Sequence, residues 1–369
     1  MKNKVIVFGC NHQNMLGLVR SLGEKGIRPY CVLLNTNYGM VFESKYPAEC
    51  IYVKNAQLGY EYIVKRFSKE SIPPILLSSD DVTETLFDKN VESLRKHFIV
   101  PASNENGKLT HLMNKYEIGK YALQYGFEVP WMKVIKKGEE IFDIPAYPVF
   151  TKSLKSIDGG KNEECKCNNK EELENVLNEC KSGVLLVQQY INKVDEIDYI
   201  GYIANGKVYM PYIQHQLRFS DNAYGGYHRF DVATGNELEM KIKEMLLDIG
   251  FQGLFSVEFI VDKSGRWYFT EINFRHDGHD YLTTNVGINL PWLYCNAVAG
   301  EKISLMPQVK IKSFIGMNEI VDYKQFVKTK KISLIKWLWQ FFTADAHIMW
   351  NRKDYGPLIY IMIQFFKRK

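Results

Sequence analysis

The sequence predicts a protein of mixed class, with an α/β lobe at the N-terminus followed by an α+β region. Short apolar runs alternate with helical patterns over the first hundred residues, which is typical of a parallel sheet. The second half instead contains closely spaced strands that form hairpins. The chain has 369 residues, more than one hydrophobic core usually organises, so we expect two or three packed lobes.

In the N-terminal lobe the predicted elements follow one another with short connections. They are a strand at Val5–Phe8, a helix at Asn14–Gly23, a strand at Tyr30–Leu34, a strand at Cys50–Val53, a helix at Leu58–Phe67, a strand at Ile75–Leu77, a helix at Val82–Leu94 and a strand at Phe98–Val100. The layout is Rossmann-like, but Gly9 and Gly17 are too far apart for the GxGxxG phosphate loop. A nicotinamide-dependent oxidoreductase is therefore disfavoured.

The rest of the chain reads as helix, then mixed helix and strand. The predicted elements are a helical region at Leu109–Asp143, a strand at Pro148–Lys152, a helix at Lys170–Glu179, a strand at Val184–Tyr190, a hairpin formed by Ile197–Ile203 and Lys207–Ile213, a helix at Asn236–Ile249, and strands at Leu254–Asp262 and Trp267–Phe274. Asn205-Gly206 between the two hairpin strands is a strong turn signal.

Composition excludes several classes of function. Lysine and arginine number 47 against 42 aspartates and glutamates, a formal net charge of +5, which is small for a nucleic-acid-binding protein of this size. The seven cysteines are scattered and odd in number, so we expect free thiols rather than a disulfide framework. We find no signal peptide and no apolar run of about 18 residues. We therefore expect a cytoplasmic protein that does not bind nucleic acid.

The most informative segment is the last predicted strand pair, which carries Glu258, Glu271, Asn273 and Arg275. If the pair turns at Ser264-Gly265, Glu258 and Glu271 are directly opposite, with Cβ atoms roughly 4.5–5.5 Å apart. A three-residue loop would shift this register by one. Facing carboxylates repel each other unless one is protonated, one points to solvent or a cation lies between them. These oxygen ligands suit Mg²⁺ more than zinc, and an adjacent guanidinium suits phosphoryl and acyl-phosphate chemistry.

With these residues in view, the chain resembles the ATP-grasp superfamily, in particular its carboxylate–amine ligase branch. The D-aspartate ligases and the ATP-grasp proteins of envelope polysaccharide biosynthesis are the most similar members. The segments that carry the resemblance are Leu76-Leu-Ser-Ser-Asp-Asp81, Asn114-Lys115, Gly126-Phe-Glu-Val-Pro130, Pro148-Val-Phe-Thr-Lys152 and the Glu258 to Arg275 strand pair. The resemblance implies an ATP-grasp fold with a pre-ATP-grasp α/β domain at 1–108, a small lobe at 109–190, a large lobe at 191–323 and a basic, aromatic tail at 324–369.

The resemblance also implies roles for individual residues, with ATP and Mg²⁺ as cofactors. Lys115 and Lys152 would neutralise phosphates, although either could be an ordinary solvated lysine. The remaining implied contacts are Gly159, Gly160 and Lys161 in a loop that closes over the phosphates, Gln188, Gln189, Tyr190 and Ile191 at the adenine, Glu196 at the ribose, Glu258, Glu271 and Asn273 at the metal, and Arg275 as the catalytic residue.

The implied activity is ATP- and Mg-dependent joining of a carboxylate to an amine through an acyl phosphate. An amino acid joined to an envelope or polysaccharide precursor is the expected reaction within this branch. Arg218, His228 and Arg229 are candidate substrate contacts, and His276 and His279 are further candidates. The alternative is a non-catalytic, membrane-associated ATP-grasp module that only binds nucleotide.

The net charge is distributed unevenly along the chain. Residues 324–369 hold ten lysines or arginines and two aspartates, a net charge of +8, so the remaining 323 residues carry −3. The same tail holds ten aromatic residues, including Trp337, Trp339 and Trp350. This pattern suits an interfacial anchor at the inner face of the membrane. It equally suits a helix packed on the body of the protein with its cations facing water.

Overall fold

The N-terminal lobe is a parallel sheet of four strands in the order β3-β2-β1-β4. The computed structural model describes residues 1–157, 163–220 and 223–367. The elements of this lobe are β1 (Val5–Cys10), α1 (Gln13–Gly23), β2 (Tyr30–Leu34), β3 (Glu49–Tyr52), α2 (Ala56–Phe67), β4 (Ile75–Ser78), α3 (Asp81–Lys89), α4 (Val91–Leu94) and α5 (Lys108–Leu112). Alternate residues of β1 face opposite sides of the sheet: Val7 packs with α1, and Phe8 packs with α2 and α3.

A second, antiparallel sheet has four strands in the order β5-β8-β6-β7. Its elements are α6 (Lys115–Leu123), β5 (Met132–Lys136), β6 (Val149–Lys152), β7 (Cys165–Cys167), α7 (Lys170–Glu179) and β8 (Val184–Gln189). Leu173 and Leu177 of α7 lie in one buried cluster with Leu185 and Val187 of β8. The sheet is thus covered on one face by the amphipathic side of α7.

The third sheet has seven strands in the order β15-β14-β9-β10-β13-β16-β17, and the functional candidates lie on it. The elements are β9 (Lys193–Ala204), β10 (Lys207–Gln216), β11 (Phe219–Ser220), β12 (Ala223–Tyr224), β13 (Tyr227–Val232), α8 (Glu237–Ile249), β14 (Gly253–Asp262), β15 (Trp267–Asn273), α9 (Asp280–Asn285), α10 (Leu290–Val298), β16 (Ser313–Met317), α11 (Glu319–Asp322), α12 (Leu334–Thr343), β17 (Ala346–His347) and α13 (Gly356–Lys367). The β9–β10 hairpin turns at Asn205-Gly206, where both residues have positive φ, as a type I′ turn requires.

Three predicted elements differ in the structure. The helix expected at Val82–Leu94 is interrupted at Asn90 and forms two helices, α3 and α4. The strand expected at Phe98–Val100 is reduced to a single bridge between Ile75 and Ile99. The helical region expected at 109–143 is wrong beyond α6, because Met132–Lys136 pairs with β8 as a strand. Pairing with a neighbouring strand overrides a weak local preference.

One buried cluster joins the N-terminal lobe to the large sheet. It includes Leu18 of α1, Tyr212 of β10, Leu293 of α10 and Met349 from the C-terminal segment. The face of the first sheet that α1 covers is therefore packed against the large sheet, and Asp81 at the carboxyl edge of the first sheet contacts Arg275 just after β15. Ligands of open α/β sheets bind at this edge.

The middle of the C-terminal tail packs on the body of the protein. β17 pairs with β16 in parallel, and the buried Arg20 Nε donates to Asp354 Oδ2 at 2.9 Å. Arg20 also donates to the Ile348 and Asp354 carbonyls. The tail therefore packs on the body at residues 346–354, but as a strand and a turn rather than as the docked helix that the sequence suggested. Among the described helices, none has the length and apolar character needed to cross a bilayer.

Candidate active site

Three carboxylates lie side by side on neighbouring strands of the large sheet. Glu258 of β14 is the cross-strand partner of Glu271 on one side and of Asp198 in β9 on the other. Asn273 follows Glu271 on the same face of β15, and its Nδ2 donates to Glu258 Oε1 at 2.6 Å. The predicted pairing of Glu258 with Glu271 is therefore confirmed, and Asp198 is an acid that the sequence reasoning missed.

The turn that produces this pairing differs from the predicted one. The β14–β15 turn is not a two-residue loop, because the Asp262 amide donates to the Arg266 carbonyl and encloses three residues. That loop alone would place Glu258 opposite Thr270. The pairing of β14 with β15 contains a bulge between Glu258 and Phe259. Thr270 is the extra residue of this bulge, so Glu271 rather than Thr270 lies opposite Glu258. The Thr270 hydroxyl donates to the Glu258 carbonyl at 2.9 Å and so holds the bulge.

Two lysines from the small lobe reach the carboxylates. Lys115, the first residue of α6, is buried, and its Nζ lies 2.5 Å from Glu271 Oε2 and 3.0 Å from Ser156 Oγ. Asn114 caps α6 by accepting from the Tyr116 amide, which fixes where the helix begins. Lys152, the last residue of β6, lines the same cavity as Glu271. Lys115 is therefore not a solvated surface lysine.

Arg275 lies where the first sheet meets the large sheet. Its Nε donates to Asp81 Oδ1 at 3.0 Å and its Nη2 donates to Asn273 Oδ1 at 2.9 Å. Asp81 follows β4 and begins α3 at the carboxyl edge of the first sheet. The contact joins residues 194 positions apart, so sequence spacing gave no signal for it.

Burial and neighbouring charges shift the ionisation of these groups in opposite directions. Burial and the Glu271 charge raise the pKa of Glu258 above its usual range. Burial also opposes ionisation of Glu271, but Lys115 and Lys152 outweigh it and hold the pKa of Glu271 low. Burial lowers the pKa of Lys152. The row of acids is thus an unfavourable arrangement that a bound cation would relieve.

The donor set of this row fits Mg²⁺. Glu258, Glu271 and Asn273 offer carboxylate and amide oxygens, which hard divalent cations prefer. The two glutamates are partly buried and repel each other, so a divalent ion between them would remove an unfavourable interaction. Asp198 adds a third carboxylate on the same face of the sheet. We therefore expect the metal here rather than at a histidine or cysteine cluster.

A cavity of about 460 Å³ connects this row to the hinge between the lobes. The predicted nucleotide contacts that line it are Lys152, Gln188, Gln189, Tyr190, Ile191 and Glu196. The amides of Gln189 and Tyr190 donate to the carbonyls of Trp131 and Pro148. These two amides are therefore engaged within the protein. Glu196 forms an ion pair with Lys193 at the cavity wall. The predicted phosphate-loop residues Gly159, Gly160 and Lys161 lie outside the described residues.

The candidate substrate residues lie in different surroundings. Arg218 pairs with the buried Asp322 and with Gln340, and Arg229 pairs with Asp231 at the surface. His228 is buried, with its ring centroid 4.2 Å from that of His279. Burial and the neighbouring His279 lower the pKa of His228 well below its usual value, so its ring is neutral.

Of the two further histidines, one lines the cavity. His279 does so together with Asp277, whose Oδ1 accepts from the His279 amide at 2.8 Å. His276 is fully buried beneath α1, 3.6 Å from Asp280. The other polar groups in this part of the cavity are Gln13, Gln214, Gln216 and Asn318. This group of side-chain amides was not predicted, because its members come from strands and helices far apart in the chain.

Comparison with known proteins places the fold. No protein-family profile matches the sequence, and a search of curated proteins finds no match. Among solved structures, N5-carboxyaminoimidazole synthetase from Staphylococcus aureus complexed with ADP has a TM-score of 0.67 at 14% identity, covering 90% of this chain and 86% of its own. An L-amino acid ligase from Bacillus licheniformis has a TM-score of 0.64 at 15% identity, covering 81% of this chain and 75% of its own.

A third similar structure is a complex of biotin carboxylase from Campylobacter jejuni with a β,γ-ATP compound. It has a TM-score of 0.64 at 17% identity and covers 85% of this chain and 74% of its own. At such identities the likeness concerns the fold. It confirms at that level the resemblance carried by the sequence motifs. The chain has the ATP-grasp fold.

Proposed function

We propose that the protein is an ATP- and Mg-dependent carboxylate–amine ligase that releases ADP. The observation that carries this proposal is the cavity that joins the hinge segment Gln188–Ile191 to Glu258, Glu271 and Lys152, with Lys115 paired to Glu271 beside it. A nucleotide bound along it would have its adenine at the hinge and its phosphates at Lys115 and Lys152. The oxygens of Glu258, Glu271 and Asn273 would hold Mg²⁺, which supplies charge neutralisation to the phosphates.

The reaction has two steps. A carboxylate oxygen of the first substrate attacks the γ-phosphorus of ATP, and ADP leaves with the electron pair of the broken P–O bond. The amine of the second substrate then attacks the acyl carbon, loses a proton, and phosphate leaves. Phosphoryl transfer needs positioning and charge neutralisation more than covalent help from the protein. Lys115 provides positive charge for that step, because the neighbouring Glu271 outweighs burial and raises the pKa of Lys115. Lys152 lies in the cavity wall beside the same carboxylate.

Arg275 is the residue we assign to the acyl phosphate. Its guanidinium is held by Asp81 from the first sheet and by Asn273 from the metal row. A guanidinium held from two sides loses little freedom when the reacting group binds. It can therefore stabilise the oxyanion that forms when the amine attacks.

We propose an amino acid as one substrate and an envelope or polysaccharide precursor as the other. The L-amino acid ligase among the similar structures supports the first choice. The side-chain amides of Gln13, Gln216 and Asn318 in the cavity support a polar, uncharged part of the ligand, because amides both donate and accept hydrogen bonds. We further propose that the enzyme is cytoplasmic and that residues 324–369 contact the inner face of the membrane.

The test is ADP release by purified protein with Mg²⁺ and a panel of amino acids, with and without envelope precursors. We expect ADP release only when both substrates are present. Glu271→Ala should lower this rate at least about 100-fold, while Glu244→Gln, an exposed acid on α8, should leave it unchanged. ATP binding without turnover across the whole panel would instead favour a non-catalytic nucleotide-binding module.

A further inference from the structure

Two C-terminal helices present apolar side chains to solvent. On α12, Ile335 is 81% exposed, Phe342 is 77% exposed and Trp339 is 65% exposed. These residues recur at helical spacing, so they form one continuous stripe. Leu334 and Leu338 extend the stripe. Such a stripe on a described helix requires an explanation, because single scattered apolar residues are normal on a surface but contiguous patches are not.

The second helix, α13, continues the patch. Ile359, Met362 and Ile363 are about half exposed on it. Aromatic contacts connect the two helices: the ring centroid of Phe341 in α12 lies 6.1 Å from that of Trp350, and Trp350 lies 6.0 Å from Tyr355 at the start of α13. Trp350 and Tyr355 are themselves partly exposed. The apolar surface therefore extends from one helix to the other.

The segment that carries this surface is rich in exposed cations and poor in acids. The exposed lysines and arginines of the segment are Lys324, Lys328, Lys330, Lys331, Lys336, Arg352, Lys353 and Lys367. The segment has two acidic residues, Asp345 and Asp354, and Asp354 is buried against Arg20. The surface thus combines exposed tryptophan and aliphatic side chains with a strong positive field.

We propose that α12 and α13 form an interfacial surface that docks the protein on an anionic lipid bilayer. Apolar and aromatic side chains enter the headgroup boundary while lysine and arginine contact anionic headgroups, which is how amphipathic helices bind membranes. A second copy of the chain is disfavoured as the occupant, because a symmetric dimer would bring two surfaces of like charge together.

The lipid surface lies next to the amide-lined part of the cavity. Gln340, on the buried side of α12, accepts from Arg218, and Gln216 Nε2 donates to the Arg218 carbonyl at 2.7 Å. Gln216 lines the cavity, as do Asn318, which caps α11, and Val321 within α11. Two side chains therefore separate the membrane-facing helix from the cavity. Resting on the proposed function, this arrangement favours an acceptor that is itself anchored in the bilayer.

The surface can be tested with vesicles of phosphatidylcholine alone and with 30% phosphatidylglycerol, a fraction of roughly the anionic content that attracts basic segments. We expect the full chain to sediment with the anionic vesicles, less so at high salt, and not with neutral ones. Ile335→Glu/Trp339→Glu should sediment at least about tenfold less. The matched control is Met240→Glu/Leu247→Glu, which changes two exposed apolar residues on α8.

Thermal unfolding and ADP release are measured on the same variants. The Ile335→Glu/Trp339→Glu variant should retain its thermal unfolding behaviour and its rate of ADP release, because the changed side chains face away from the cavity. Loss of vesicle binding and failure of the ligase proposal are therefore separate results. The proposal is overturned if anionic vesicles do not sediment the protein, or if both double variants bind equally. It is also overturned if sedimentation velocity shows a dimer that the α12 variant dissociates.

Discussion

At the scale of single residues, the site depends on three carboxylates that lie on adjacent strands. Like charges directly opposite each other destabilise a sheet, so this row is kept for a purpose other than stability. Lys115 offsets part of the repulsion through Glu271. Among the residues that the structure describes, no lysine or arginine forms an ion pair with Asp198, which instead accepts from Gln214 Nε2 at 2.8 Å. Its proximity to Glu258 leads to a prediction.

Asp198→Asn should weaken divalent-cation binding. The variant keeps an oxygen for Gln214 but removes a carboxyl group that a bound cation would ionise next to Glu258. Burial and the Glu258 charge raise the pKa of Asp198 well above its usual value. We expect Mn²⁺ affinity in the presence of ADP to fall about tenfold, as measured by calorimetry or by the electron paramagnetic resonance of free Mn²⁺. Glu244→Gln serves as the control. An unchanged Mn²⁺ affinity would show that Asp198 only supports Gln214.

Asp81→Asn should lower turnover, because Arg275 is held less firmly in position in the variant. Asp81 holds the guanidinium from the first sheet, and loss of that charge frees Arg275 to move. We expect kcat to fall about 10- to 100-fold with little change in KM for ATP, whereas Asp248→Asn on the exposed side of α8 changes neither. A rise in KM at constant kcat would contradict the positioning role.

Arg218→Met should destabilise the protein whatever its effect on substrate binding. Asp322 is fully buried and would lose its charge partner. We expect the free energy of unfolding to fall by about 3 kcal/mol, as measured by urea denaturation. Arg218→Met/Asp322→Leu should recover part of this loss. If stability is unchanged but activity is lost, Arg218 binds substrate instead, as the sequence pattern first indicated.

At the scale of elements, β17 and the following turn fasten the tail to the N-terminal lobe. Asp354 accepts from Arg20, from Ser44 Oγ and from the Lys45 amide. Glu319 accepts from the amides of Met349 and Trp350. Buried polar networks of this kind are satisfied only in one arrangement. The tail is therefore part of the folded body at this point.

Asp354→Ala should destabilise the whole body. The substitution leaves the Arg20 guanidinium buried without its carboxylate. We expect a loss of about 3–5 kcal/mol in the free energy of unfolding, whereas Lys353→Ala, at an exposed neighbouring position, should change it by less than about 0.5 kcal/mol. Equal stability of the two variants would mean that the tail contributes nothing to the body.

At the scale of the whole molecule, the first lobe, the large sheet and residues 346–354 share one core. Elements that share one buried cluster lose packing together when one of them is removed. The effect of a C-terminal truncation on folding and ADP release therefore depends on the position at which the chain is shortened. Ala346, Ile348 and Met349 belong to the shared core, whereas Leu358 and Ile361 of α13 are only partly buried against it.

A chain that ends at Tyr355 should fold and release ADP, and one that ends at Lys331 should not. The first loses α13, in which Leu358 and Ile361 only partly pack on the core. The second also loses β17 and Asp354, which pair with β16 and Arg20. Thermal unfolding and ADP release compare the two chains. Similar melting of both would show that the tail does not belong to the shared core.

The sequence by itself determined the fold class and the ATP-grasp resemblance, because strand and helix periodicity are local properties. The prediction that Glu258 faces Glu271 was right, but it assumed a two-residue turn, whereas the structure has a three-residue loop and a bulge that restores this pairing. The sequence also determined that charge and aromatic residues concentrate in the tail. The bulge at Thr270, the neighbour Asp198 and the contact of Asp81 with Arg275 were decided by the tertiary structure. These join strands and lobes far apart in the chain, where the partner is chosen by packing rather than by spacing. For the same reason, only the folded structure shows which part of the tail is buried and which of its helices are exposed.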